Sequence, residues 1–181
     1  MSKTGDEMSY QELLDYNKNR CMNQVSIIVP NVMETVKNWT KYLKIGPWRI
    51  VDYSNEYADK FFVRGKEIRD FSFIVAIALV NGIEIEIIQP VRGDNAYVEF
   101  LEATGGGPQH IKFSFPDEAL DAAAKELTDQ GFPILQQGHM LGNRHYYIDT
   151  VDKLSCLVEL GSTKLSSYPK DKIIYYPPKD E

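Results

Sequence analysis

"NQVSIIVP" occupies residues 23–30, and "QHIKFSFP" occupies residues 109–116. Both segments are rich in apolar residues and end in proline, a pattern that predicts a β-strand. A helical pattern follows each of them, "NVMETVKNWTKYLKIG" after the first and "DEALDAAAKELTDQGF" after the second. The recurrence indicates an internal repeat, which constrains the fold more than any single motif does.

Three more strands are predicted after each helix. The first helix is followed by "PWRIVDY", "FSFIVAIALV" and "IEIEIIQP", and the second by "PILQQ", "RHYYIDT" and "SCLVELG". Each half of the chain therefore has the order βαβββ. The sequence predicts an α+β fold made of two tandem βαβββ modules.

The repeat also sets the expected boundaries. The chain is divided into an N-terminal helical extension, a repeat domain and a C-terminal tail, at 1–21, 22–161 and 162–181. Inside the domain the two modules and the linker between them are predicted at 22–90, 109–161 and 91–108. The linker is expected to hold a short helix that ends in glycines. The tail is proline-rich and aromatic, so we expect it to be extended and packed on this chain or on a neighbour.

The composition excludes several kinds of partner. The formal net charge is -6, which argues against general nucleic-acid binding and against attraction to an anionic membrane. No apolar run reaches the length of a membrane span, and the polar N-terminus lacks the apolar core of a signal peptide. We therefore expect a cytoplasmic protein. Its two isolated cysteines, Cys21 and Cys156, are expected to be reduced.

Four residues that can donate a lone pair occupy equivalent places in the repeat. The offset of 86 residues (116 − 30) that places Pro30 on Pro116 also places Gln24 on His110. In the final strands of the two modules, Glu86 matches Glu159. Each residue taken alone has an ordinary explanation, either a solvated strand glutamate or a hydrogen-bonded histidine. Together they form a ligand set suited to Zn²⁺, Co²⁺, Ni²⁺, Mn²⁺ or Fe²⁺, which the sequence does not rank.

Strand alternation adds neighbours on the same face. Glu84 shares a face with Glu86, so it is either a second acid/base or a solvated residue at the edge of the cleft. Lys112 and Ser114 share a face with His110 and are candidates for substrate binding. Lys112 either balances the carboxylates and holds an anionic substrate group, or pairs with a glutamate as part of the structure. His139 is expected in a glycine-flanked loop, as a plain loop residue or as part of a closing segment.

The chain resembles the vicinal oxygen chelate superfamily, which includes glyoxalase I, methylmalonyl-CoA epimerase, extradiol dioxygenases and bleomycin-resistance proteins. The resemblance is carried by "NQVSIIVPNV", by "IEIIQP" followed by "VEFLEATGGGPQHIKFSF", and by "YYIDTVDKLSCLVELG". It is greatest for the methylmalonyl-CoA epimerase branch. It implies an open β-barrel-like cleft with the helices outside, a homodimer and one divalent metal ion. By this resemblance the metal ligands are Gln24, Glu86, His110 and Glu159, and Glu159 also acts as a base.

Two residues depart from the superfamily pattern. Gln24 stands where most members have histidine, which counts against dioxygenase chemistry but not against metal binding, since some glyoxalase I enzymes also begin with glutamine. Gln109 replaces the first histidine of the epimerase His-His pair. We expect its side chain to point toward the helices and to affect the site little.

The resemblance implies a metal-dependent isomerase or epimerase that transfers a proton next to a metal-chelated carbonyl, as methylmalonyl-CoA epimerase does. One alternative is a glyoxalase I-like lyase acting on a hemithioacetal. Another is a metal-free protein that binds a small molecule, like the bleomycin-resistance proteins. The expected substrate is a small molecule, with an acyl-CoA, another thioester or a hemithioacetal as the candidates. The residues that would identify it lie in the variable middle loops.

Overall fold

The computed structural model describes residues 4–164 and 166–179. The α-helices are α1 Tyr10–Lys18, α2 Val32–Leu43, α3 Ala96–Thr104, α4 Asp117–Asp129 and α5 Val151–Leu154. The strands are β1 Cys21–Ile28, β2 Trp48–Ser54, β3 Ala58–Val63, β4 Lys66–Glu67, β5 Ser72–Val80, β6 Ile83–Arg92, β7 Gly107–Phe115, β8 Ile134–Met140, β9 Asn143–Ile148, β10 Leu157–Ser162 and β11 Ile174–Tyr176. None of the helices in these ranges is long and apolar enough to cross a membrane.

The strands form one sheet in the order β11-β2-β5-β6-β1-β7-β10-β9-β8-β3-β4. The first module supplies β1, α2, β2, β5 and β6, and the second supplies β7, α4, β8, β9 and β10. The modules meet where β1 pairs with β7, within one chain. The sheet curls into an open half-barrel, with α2 packed on β5 and β6 and α4 on β9 and β10. The predicted α+β fold of tandem βαβββ modules is confirmed.

The register of the central strands follows the offset found in the sequence. Val25 pairs with Ile111, and the pairs on either side are Gln24 with Lys112 and Ser26 with His110. Adding 86 to Gln24 and Ser26 gives His110 and Lys112, so the repeat converts each of these two pairs into the other. A pseudo-twofold axis therefore passes between Val25 and Ile111, and it relates the inner faces of the two modules.

Each outer edge of the sheet carries an extra strand that the module pattern does not include. The β3–β4 hairpin leaves the first module but pairs with β8 of the second, in the register Phe61 to Gly138. The tail packs on this chain and adds β11 to β2. Tyr168, just before β11, is buried and donates a hydrogen bond to the Asp52 carbonyl at 2.8 Å. The corresponding edges of both modules are thus extended, by β11 in the first module and by β3 and β4 in the second.

Within the described part of the chain, three apolar clusters hold the layers together. The helix α2 begins at Asn31, whose side chain accepts a hydrogen bond from the Glu34 amide at 3.0 Å, as an N-cap does. Its inward face buries Val32 and Val36 against the first module. The second cluster lies under α4 around Leu120. The third and largest fills the concave side of the sheet, where the cavity described next lies.

Candidate metal centre

Glu86, His110 and Glu159 converge at the centre of the sheet. Each offers one ligand atom, and these atoms all lie within 4.8 Å of one another. His110 Nε2 is 3.1 Å from Glu159 Oε2 and 3.4 Å from Glu86 Oε2. All three residues are buried. Their strands β6, β7 and β10 lie on the two sides of the pseudo-twofold axis, so the predicted convergence of these three residues occurs in the fold.

Two buried oxygens at this place have no hydrogen-bond donor among the described residues. They are Glu86 Oε2 and Gln24 Oε1. Gln24 Nε2 donates to Glu84 Oε2 at 3.2 Å, which leaves the Gln24 carbonyl oxygen as the free end of the amide. Buried oxygens without a partner are costly, and a bound cation would satisfy both. The donor set therefore fits a divalent metal ion.

Gln109 fixes the orientation of the His110 ring. Its Nε2 donates to the Ala96 carbonyl at 2.9 Å, so its Oε1 is the atom that lies 3.0 Å from His110 Nδ1. Since an amide oxygen only accepts, Nδ1 carries the proton, and Nε2 faces the two carboxylates. The amide reaches the start of α3, as expected. The same side chain also holds the histidine, a contact that the sequence did not predict, and the expected small effect of Gln109 on the site stays a prediction.

The cluster is a compensated set of charges. Burial lowers the pKa of His110, but a hydrogen bond to Glu159 and the negative charges of Glu159 and Glu86 outweigh burial and raise it overall. Burial alone would raise the pKa of Glu159, but Lys112 and His110 hold it well below its usual range. A metal ion at Nε2 has to displace a proton, so we expect its binding to strengthen as the pH rises.

Lys112 enters the site through a gap in the neighbouring strand. Its Nζ lies 3.4 Å from Glu159 Oε1, and its side chain is largely buried. A Cβ atom on Gly161 would come within 2.3 Å of Lys112 Cε, so the glycine makes room for the lysine arm. Burial lowers the pKa of Lys112, but the three nearby glutamates raise it overall, so the amine stays charged. The structure shows the predicted pairing with a glutamate and also places Lys112 in the cavity wall.

Glu84 and Ser114 lie farther from the cluster. Glu84 is partly buried in the cavity wall, and burial raises its pKa, with Glu86 and Glu159 adding to the shift and Lys112 opposing it. Ser114 also lines the cavity, and its Oγ donates to Asn23 Oδ1 at 2.8 Å. The two residues are near enough to meet a molecule in the cavity.

The cavity has a volume of about 230 Å³ and is shared by both modules and the tail. Its charged lining outside the cluster includes Arg49 and Lys164 as well as Lys112. Its apolar and aromatic walls come from Tyr53, Phe73, Val75, Ile77, Ile88, Tyr97, Met140 and Tyr147. A molecule in it would meet both apolar and polar walls, with the Glu-His-Glu cluster on one side.

Sequence reasoning missed two tyrosines of this site. Tyr97 donates a hydrogen bond to the Tyr147 hydroxyl at 2.9 Å, and Tyr147 Oη lies 3.5 Å from His110 Nε2. Burial raises the pKa of both phenols, which therefore keep their protons. The available signal was the register of β9 beside β10, in which Tyr147 faces Glu159. The segment "RHYYIDT" contains no pattern that predicts this register.

The two remaining histidines have different surroundings. His145 is buried in the cavity wall, its Nε2 has no partner among the described side chains, and burial lowers its pKa to about 4. A Cβ atom on Gly138 would come within 2.5 Å of its ring. His139 was expected in a loop, and that is wrong. It lies on β8, which β3 extends, and its Nδ1 is 3.1 Å from Asp59 Oδ2.

A sequence model of the Glyoxalase/Bleomycin resistance protein/Dioxygenase superfamily matches residues 23–148. The match covers more than half of the chain, and the chain belongs to this superfamily. The resemblance drawn from the sequence is thereby confirmed. Among curated protein sequences, none matches the chain.

Solved structures share the fold at low sequence identity. The hypothetical protein BH1468 from Bacillus halodurans C-125 superposes with a TM-score of 0.62 and 13% identity, over 83% of this chain and 99% of that one. A methylmalonyl-CoA epimerase in complex with methylmalonyl-CoA and NH4+ gives 0.60 and 19%, over 82% and 96%. The methylmalonyl-CoA epimerase from Mycobacterium tuberculosis gives 0.58 and 18%, over 80% and 88%. These similarities concern the fold, and they include the branch suspected from the sequence.

Proposed function

We propose that this protein is a metal-dependent isomerase or epimerase that moves a proton next to a substrate carbonyl, as methylmalonyl-CoA epimerase does. The observation that carries the proposal is the buried Glu-His-Glu cluster with Gln24 beside it, which together hold two unsatisfied oxygens in a cavity that also holds a separate carboxylate. Proton transfer beside a carbonyl needs these parts: an electrophile for the carbonyl oxygen and a base for the carbon acid.

The residues that would hold the metal are Gln24, Glu86, His110 and Glu159. Zn²⁺, Co²⁺, Ni²⁺, Mn²⁺ and Fe²⁺ all suit this mixture of one imidazole with carboxylate and amide oxygens. When bound, the ion supplies a Lewis acid that stabilises negative charge on the substrate oxygen. Gln109 keeps Nε2 of His110 available for it, and Lys112 balances the charge of Glu159.

Glu84 is our first candidate for the group that carries the proton. It lies in the cavity wall and outside the Glu-His-Glu cluster, so its oxygens are not committed to a metal ion. Gln24 Nε2 holds one of them in place. Glu159 is the second candidate, which the resemblance suggests, although its partners Lys112 and His110 make its carboxylate a weak base. Two carboxylates in one cavity allow a proton to leave one face of a carbon and return on the other.

The substrate proposed is a small acyl thioester with an additional anionic group. Lys112, together with Arg49 and Lys164, supplies positive charge to the cavity wall, and Ser114 supplies a hydroxyl group. Complexes of the structural neighbours with methylmalonyl-CoA support a thioester. A glyoxalase I-like reaction on a hemithioacetal is the second candidate, and the free oxygen of Gln24 at the first ligand position favours it. We further propose a homodimer, as the resemblance implies.

The test is solvent-deuterium exchange at the carbon next to the carbonyl of methylmalonyl-CoA, followed by mass spectrometry with Co²⁺-loaded and chelator-treated protein. The hemithioacetal of methylglyoxal and glutathione is assayed in parallel. We expect Co²⁺-dependent exchange that Glu86→Gln and Glu159→Gln abolish together with metal uptake. Glu102→Gln, at an exposed glutamate on α3, is the matched control. A protein that takes up no divalent metal, or variants that lose neither metal nor activity, would refute the proposal.

A further inference from the structure

We infer that Tyr147 is a hydrogen-bond donor to the oxygen of a molecule bound at the Glu-His-Glu cluster, and that Tyr97 is the residue that positions it. This inference rests on the proposed function, because it assumes that a substrate oxygen is held beside His110. It adds a group of the chain itself that would act on this oxygen together with the metal.

The hydrogen bonds of the two phenols leave one proton without a close acceptor. Tyr97 donates to the Tyr147 hydroxyl at 2.9 Å, so the Tyr147 oxygen already accepts one bond. Tyr147 Oη also lies 3.5 Å from His110 Nε2, which is beyond the range of a firm hydrogen bond. Apart from Tyr97, which is the donor of that bond, no hydrogen-bond partner nearer than His110 is found for the Tyr147 hydroxyl among residues 4–164 and 166–179. The proton is therefore available to a bound molecule.

Packing holds the Tyr147 ring against the cluster. The ring meets that of His110 edge-on with centroids 4.7 Å apart, and that of Tyr97 edge-on at 5.8 Å. Both tyrosines are almost fully buried, and both line the cavity. On the sheet, Tyr147 lies directly opposite Glu159. The hydroxyl therefore faces the same space as His110 Nε2 and is fixed there before any ligand arrives.

A fixed donor of this kind is suited to the reaction proposed. When a proton leaves the carbon beside a carbonyl, negative charge moves to the carbonyl oxygen, and a buried donor stabilises that charge more strongly than the neutral ground state. The hydrogen bond from Tyr97 occupies one lone pair of the Tyr147 oxygen. This bond polarises the Tyr147 hydroxyl and makes it a stronger donor. Losing Tyr97 should therefore weaken the same contact without removing it.

The experiment uses oxalate, a planar dianion with adjacent oxygens, as the probe for an oxygen bound at the cluster. Full-length protein is loaded with Co²⁺, and oxalate binding is measured by calorimetry for the wild type, Tyr147→Phe and Tyr97→Phe. We expect Tyr147→Phe to weaken oxalate binding about tenfold and Tyr97→Phe about threefold. Co²⁺ affinity should stay within about threefold of the wild type, since neither hydroxyl is a proposed ligand. Tyr42→Phe is the matched control, because this tyrosine on α2 is exposed and does not line the cavity, and it should bind oxalate normally.

Each other outcome overturns the inference. Unchanged oxalate binding by Tyr147→Phe, or no oxalate binding by the Co²⁺-loaded wild type, shows that the hydroxyl meets no bound oxygen. A loss of Co²⁺ affinity as large as the loss of oxalate affinity shows that Tyr147 supports the ligands. Failure of the wild type to take up Co²⁺ would instead refute the proposed function. If Tyr147→Phe is unstable because it strands the Tyr97 hydroxyl, the double Phe variant removes both hydroxyls and must show the same tenfold loss.

Discussion

Glu84 and Lys112 break the pseudo-twofold symmetry of the site. Parallel pairing places Glu84 beside Gln24 and Lys112 beside Glu159. By the repeat offsets of 73 (159 − 86) and 86 residues, the equivalents of Glu84 and Lys112 are Leu157 and Ser26. Under the repeat, each proposed metal ligand is equivalent to another proposed ligand. Glu84 and Lys112, in contrast, are each equivalent to an uncharged residue. The chemistry that distinguishes the two sides of the cavity therefore belongs to Glu84 and Lys112.

Glu84→Gln tests the proton carrier. The amide keeps the size of the side chain and can still accept from Gln24, but it no longer takes a proton from carbon. Exchange of deuterium into methylmalonyl-CoA should fall about 100-fold or more, with the metal content unchanged. Glu102→Gln again serves as the control. If Glu84→Gln still exchanges deuterium at the full rate, Glu84 is not the base, and Glu159 becomes the candidate.

His145 predicts an acid-dependent loss of stability. Its pKa lies near 4 in the folded protein, against 6.5 for the ordinary side chain. Below pH 6.5 the His145 side chain is protonated in the unfolded chain, but in the folded protein it is protonated only below about pH 4. The free energy of unfolding therefore decreases as the pH is lowered from 6.5 to 4. Between pH 7 and 4.5 the contribution is about 2 kcal/mol.

Urea unfolding of the chelator-treated protein at these two pH values measures this term. His145→Gln should lose about 2 kcal/mol less on acidification than the wild type does. His139→Gln, at a half-exposed histidine on the adjacent strand, is the matched control. Equal acid dependence in all three proteins would show that His145 is not buried as a neutral imidazole.

At the scale of elements, β10 accommodates its neighbour β7 by lacking a side chain at one position. Gly161→Ala would place a Cβ atom 2.3 Å from Lys112 Cε and 2.9 Å from Glu159 Oε1, so the flexible lysine arm must move and Glu159 loses its cation. We expect unfolding in urea to become easier by about 1–3 kcal/mol. Gly5→Ala, where an added Cβ meets nothing within 4 Å, should change stability little. Equal stability of both variants would contradict this account of the Lys112 site.

Elements defined by local sequence patterns could be predicted, whereas elements defined by contacts between residues far apart in the sequence could not. The modules and the convergence of Glu86, His110 and Glu159 followed from a repeat that is visible in local patterns. The β3–β4 hairpin did not, because it belongs to one module in sequence and pairs with the other in space. For the same reason His139 was assigned to a loop, although its strand is completed by that hairpin. Tyr147 was missed because its role depends on the register of β9 against β10.

At the scale of the whole molecule, one chain contains all parts of the candidate site. The two modules pair directly through β1 and β7, and the tail crosses between them. Ser167 donates to the Leu141 carbonyl in the second module, and Tyr168 donates to Asp52 in the first. The strands at the two edges of the sheet, β4 and β11, are only two and three residues long, which discourages pairing with other sheets. Because one chain contains all parts of the candidate site, we expect one metal ion per chain.

Anomalous diffraction from Co²⁺-loaded crystals tests the central claim most directly. We expect one anomalous peak per chain, about 2.0–2.2 Å from His110 Nε2 and from carboxylate oxygens of Glu86 and Glu159, with Gln24 Oε1 turned toward it. A peak elsewhere, or none in crystals soaked at a saturating Co²⁺ concentration, would contradict the assignment of this cluster as a metal centre.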